Sequence, residues 1–85
     1  MYLMADTKIS VLTIIVENGA DTKGIQGLLS EYSSCIIGRM GIPHCEKNVR
    51  IITVVLDGPV QSINELTNKL DGMDNVNASV VFANV

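Results

Sequence analysis

The sequence predicts an α+β domain, a ferredoxin-like βαββαβ plait in which a four-stranded antiparallel sheet carries two helices on one face. Three observations carry this. The runs Ile9–Val16 and Ile51–Leu56 are nearly unbroken apolar stretches rich in β-branched residues, as expected of strands in the middle of a sheet. After each comes a segment with apolar residues at helical spacing. The resulting order has few assemblies, because crossover connections are right-handed. The economical one has strand order 4-1-3-2, with strands one and three in the centre.

The first strand is Lys8–Glu17, KISVLTIIVE, with Ile9, Val11, Thr13 and Ile15 on one face and Leu12, Ile14 and Val16 on the other. Apolar residues on both faces imply cover on both sides. Asn18 and Asp21 are candidate N-caps for the first helix, since either side chain can accept a bond from an orphan N–H of the first turn. Ile25, Leu28, Leu29 and Tyr32 form its apolar stripe. Gly24 and Gly27 each cost about 1 kcal/mol in a helix relative to Ala. Their presence implies a close approach of helix to sheet or, as the sharper alternative, of a ligand to the backbone.

The second strand is expected over Cys35–Ile42. Its internal Gly38 and charged Arg39 suit an edge. Gly41 and Pro43 mark a turn region, and His44–Asn48 make a polar connector into the third strand, Val49–Asp57. Pro59 near the first helical position, behind Asp57 and Gly58, starts the second helix. Ile63, Leu66, Leu70 and Met73 are its buried stripe, and Gly72 fits the residue just past its end. The last strand, Val76–Asn84, alternates Val76, Ala78, Val80 and Phe82 with Asn77, Ser79, Val81 and Ala83, a half-exposed edge pattern.

At 85 residues the chain makes one domain over residues 8–85, because a second core would be too small to offset its chain entropy. Residues 1–7 read as a disordered tail, with Met4 an alternative start. A net charge of −3 with scattered basic residues argues against a nucleic-acid surface, which needs clustered Lys and Arg. No apolar segment reaches the about 20 residues of a membrane helix, and the first residues lack the basic and apolar regions of a signal peptide. Cys35 and Cys45 are therefore expected as thiols in the reducing cytoplasm.

Two helices cover only one face of such a sheet, while strands one and three are apolar on both. Leu12, Ile14, Val16, Ile52, Val54 and Leu56 are assigned to the covered core, because the alternate set contains Thr13 and Thr53 and tolerates a wetter setting. Val11, Ile15, Ile51 and Val55, with Thr13 and Thr53 between them, then form an open apolar patch. Such patches mark interaction surfaces, and two-fold self-association is the commonest solution. A homodimer packed sheet to sheet, or a tetramer built from it, is expected.

The residues do not assemble a catalyst. His44 is the sole histidine. Asp21, Asp57, Asp71 and Asp74 fall where caps and turns need them. His44 and Cys45 are adjacent, so in an extended chain they point apart and do not form a nucleophile with its base. Nor do they complete a tetrahedral metal site, unless two subunits each supply a pair. That is the alternative reading, a metal sensor. Arg39 can clamp an anion bidentately or serve as a solvated charge that blunts the edge. No catalytic residue and no cofactor is assigned.

The residues Ile36, Ile37, Arg39, Gly41, Pro43, Glu46, Asn48, Ile51, Ile52, Val55 and Leu56, then Lys69, Leu70 and Val76, together with the opening VLTIIVE, resemble the small regulator family of the iron-only hydrogenase system. The resemblance runs from about Ile9 onward and is most specific over Arg39–Asn48. It implies an ACT-like regulatory oligomer, similar in fold to the ligand-binding domain of the nickel-responsive repressors, that senses a small effector or contacts a protein partner. Arg39, Gly41, Pro43 and Asn48 are the candidate ligand-binding residues. Two departures limit what is carried over. The repressors' His-x-His and downstream Cys correspond here to Gly41, Pro43 and Val49, so that nickel site is not inherited. Residues 1–7 do not supply a ribbon-helix-helix segment, so any control of transcription is expected to act through a partner.

Overall fold

The computed structural model describes residues 7–84. The expected tail, apart from Thr7, lies outside the described residues, as do Met4, Val85 and the Cys45 side chain. Strand β1 spans Thr7–Glu17, helix α1 Thr22–Glu31, β2 Ile36–His44, β3 Val49–Pro59, α2 Val60–Asp71 and β4 Val76–Phe82. The strands form one antiparallel sheet in the order β2-β3-β1-β4, which is the expected 4-1-3-2 read from the other edge. The two runs of β-branched residues take the centre, because only there are both their backbone edges paired.

The register sets the faces. Leu12 lies opposite Val54 and Ile14 opposite Ile52, while Val11 lies opposite Val55 and Ile15 opposite Ile51. The first set, with Val16, Leu56 and Val76, packs against Ile25 and Leu29 of α1 and Ile63, Leu66 and Leu70 of α2 to make the core. Full burial of such aliphatic side chains contributes roughly 1.5–3 kcal/mol each, so the helices are held by this layer. Thr67 is buried within it, and its hydroxyl donates to the Ile63 carbonyl at 2.8 Å.

Asp21 is the cap of α1, its carboxylate accepting the Gly24 N–H at 3.0 Å, an arrangement typically worth about 1 kcal/mol. The two helix glycines do not serve an approach to the sheet. A Cβ on Gly24 would meet the capping Asp21 carboxylate and the Met73 methyl, and one on Gly27 would meet nothing within 4 Å. From the last turn of α2, Lys69 donates to the hydroxyl of Tyr32, the C-cap of α1, at 3.0 Å. This bond is the main cause that raises the Lys69 pKa.

The largest departures from expectation lie around β2 and the start of α2. Cys35 is not in a strand but closes a short 3-10 turn, Ser33–Cys35. Gly41 and Pro43 do not turn the chain. They belong to β2, with Pro43 opposite Arg50, because an edge strand tolerates a residue without an N–H. The reversal comes later, in a 3-10 turn over Cys45–Lys47 and at Asn48, whose φ of 55° is in the left-handed region that Asn tolerates best after Gly. Strand β3 runs directly into α2, so Pro59 is the N-cap rather than the first helical residue and makes no side-chain cap bond. Gly72 ends α2 in right-handed geometry. The left-handed residue after the helix is Asn75, with φ 63°. Strand β4 ends at Phe82, before the expected Asn84.

No element of the described chain covers the second face of the sheet. Val81 is 73% exposed, Met40 59% and Val11 41%, and Ile15, Ile37 and Ile42 are exposed as well. Among the described residues no helix is long and apolar enough to cross a membrane.

Candidate functional site

Strand β2 projects beyond the helices. Only its first residue, Ile36, is partly buried; the remainder is exposed on both faces. The reason is local. On the helix side β2 presents Arg39, Gly41 and Pro43, opposite Val54, Ile52 and Arg50 in turn, and none of these three β2 residues offers apolar bulk on which α1 could close. A groove of about 300 Å³ results, lined by Gln26 of α1, by Arg39, Met40, Gly41 and Pro43 of β2, and by Arg50 and Ile52 of β3. Arg39 spans it, its guanidinium donating to the Gln26 side-chain carbonyl oxygen at 2.7 Å. Beyond that bond a second hollow continues along α1 past Ser30, Ser33 and Ile36.

Three of the four candidate ligand residues, Arg39, Gly41 and Pro43, therefore line one groove. Asn48 does not. It lines an adjoining hollow with His44, Gly19 and Thr22, and its left-handed backbone marks it as a turn residue. Gln26 and Arg50 were not singled out by the sequence reading. Arg50 was recoverable from strand parity, since it alternates in step with Ile52 and Val54 and so faces the helix side. Gln26 was not, because its relevance depends on where α1 lies over β2.

His44 is exposed at the end of β2, and the Cys45 side chain lies outside the described residues. Among the described residues no three His, Cys, Asp or Glu side chains are grouped as metal ligands. Cys35 is a free, partly buried thiol.

The expected contact face lies on the opposite side of the sheet. Val11, Thr13, Ile15, Ile51, Thr53 and Val55 stand in three cross-strand pairs, Val11 with Val55, Thr13 with Thr53 and Ile15 with Ile51. Val81 extends the row across β4, and Met40 and Ile42 extend it across β2. Charged side chains are confined to its ends, and the middle of the face is apolar or hydroxylic.

Residues 8–80 match the family model TM1266-like, described as "Iron-only hydrogenase system regulator, putative". Among solved structures, that of the uncharacterized protein TM1266 from Thermotoga maritima superposes with a TM-score of 0.86 at 31% sequence identity, covering 91% of this chain and 98% of that one. No curated protein matches.

Proposed function

The chain belongs to the TM1266-like family of iron-only hydrogenase system regulators, and on that premise we propose that it is a non-catalytic, ACT-like regulatory domain of the cytoplasm that works as an oligomer joined through the open face of its sheet. It senses a small effector or contacts a protein partner. The observation that carries this reading is the uncovered apolar face. Antiparallel sheets with one solvated face normally alternate apolar with polar residues, yet here Val11, Ile15, Met40, Ile42 and Val81 are exposed together. A face without central charge can pair with its own copy about a two-fold axis, the commonest form of self-association, which favours a second copy as its cover.

The experiment is the solution mass by light scattering at micromolar concentration. At least twice the chain mass is expected, falling to the monomer when Val11→Asp and Thr53→Asp place carboxylates in the middle of the face. A native chain that is already monomeric would overturn the oligomer and its contact face.

A further inference from the structure

The groove beside β2 has a charge distribution that the rest of the chain does not. The protein is acidic, with nine Asp and Glu against six Lys and Arg. Its only two arginines, Arg39 and Arg50, nevertheless line the same groove, and among the described residues no carboxylate lines it with them. Arg39 is held by a neutral amide, Gln26, which orients the guanidinium without neutralising it. Two like charges around one concavity repel each other, and packing does not require them there, since both side chains are exposed.

The register adds a geometric argument. Arg39 is paired with Val54 and Arg50 with Pro43, while Gly41, opposite Ile52, lies midway between them along the strands. At about 3.3 Å per residue the two arginine backbones are separated by roughly 13 Å along the sheet, so long side chains can converge over Gly41. At that point the wall has no side chain, and a Cβ there would meet nothing within 4 Å among the described residues. Two planar donor forks flanking an open, carboxylate-free floor suit an oxyanion, because guanidinium pairs bidentately with carboxylate and phosphate.

We infer that this groove is the effector site and that it takes a small organic anion, seating a carboxylate or phosphate over Gly41 between Arg39 and Arg50. This rests on the effector-sensing reading above and narrows it to one chemical class and one place. The floor of the site is on the helix side of the sheet and shares only Met40, at the β2 edge, with the proposed contact face.

The test is a titration of the intact chain with pyrophosphate, AMP, glutamate and succinate, followed by calorimetry and by melting temperature, with sodium chloride at matched ionic strength as the control. At least one of these anions is expected to bind saturably and raise the melting temperature where chloride does not; phosphate and carboxylate arms separate the two sources of charge. Arg39→Lys keeps the charge but loses the fork, and should weaken binding about tenfold or more. Arg50→Gln should do the same. Gly41→Leu keeps both arginines but fills the floor, and should abolish binding while leaving the fold intact by circular dichroism. No binding by any of the four anions, a shift equalled by chloride, or unchanged affinity in Gly41→Leu would each overturn the assignment. Solution mass, measured on the same samples, separates the two proposals. A dimer that binds no anion retires only the groove, and a monomer that binds one retires only the contact face.

Discussion

Leu12, Ile14, Val54 and Leu56 on one face of β1 and β3 are wholly buried, whereas Val11, Ile15, Ile51 and Val55, their immediate neighbours on the other face, remain partly or largely exposed. Residue type does not distinguish the two sets, since both are β-branched or aliphatic and they alternate along the same two strands. The difference is the cover, two helices against none. Burial in this fold is therefore assigned by what lies above each face, and a sheet apolar on both sides retains a capacity for association that its own chain does not use.

The comparison makes its sharpest prediction at adjacent residues. Leu12→Ala should lower the unfolding free energy by about 2–5 kcal/mol, the usual cost of a core truncation that leaves a cavity. Val11→Ala, one residue away, should cost less than about 1 kcal/mol at a protein concentration low enough to keep the chain monomeric. Urea denaturation measures both, and equal losses at low concentration would show that the second face is covered within the monomer.

Glycines in neighbouring strands sharpen the contrast between the packed and open regions. A Cβ on Gly58, at the buried end of β3, would fall 2.7 Å from the Cys35 Sγ. Gly58→Ala should accordingly cost about 1–3 kcal/mol through overpacking. Gly41→Ala, in the exposed β2, meets no neighbour and should be neutral or stabilise by up to about 1 kcal/mol through the lost backbone freedom of the unfolded chain. Thermal melts of the pair are sufficient, and a Gly41→Ala loss as large as that at Gly58 would contradict the open floor assigned to the groove.

The smallest effect is expected inside the core. Ser10 is buried beside Leu12 with a hydroxyl that finds no hydrogen-bond partner among the described residues. Removing an unsatisfied buried polar atom relieves its desolvation cost, so Ser10→Ala should leave stability unchanged or raise it by about 1 kcal/mol. A clear loss would mean that the hydroxyl has a partner, and hydrogen exchange of the flanking amides would locate it.

The sequence by itself determined the fold class, the central placement of β1 and β3, the partition of their side chains between the two faces, and a helix cap at Asn18 or Asp21, of which the structure uses Asp21. These depend on period-two alternation and on local chain chemistry, which any stretch of sequence displays. Arg39, Gly41 and Pro43, three of the four residues the sequence offers as ligand candidates, line one groove, although the sequence places a turn at Gly41 and Pro43. Only the tertiary structure decided that Pro43 sits in an edge strand, that Asn48 turns the chain instead of lining the groove, and that Gly58 is pressed against Cys35. It alone brought Arg50 and Gln26 to Arg39. The physical reason is that register and helix placement are fixed by contacts between residues far apart in the chain. A pattern of alternation says which face a side chain takes, but not which distant side chain will stand across from it.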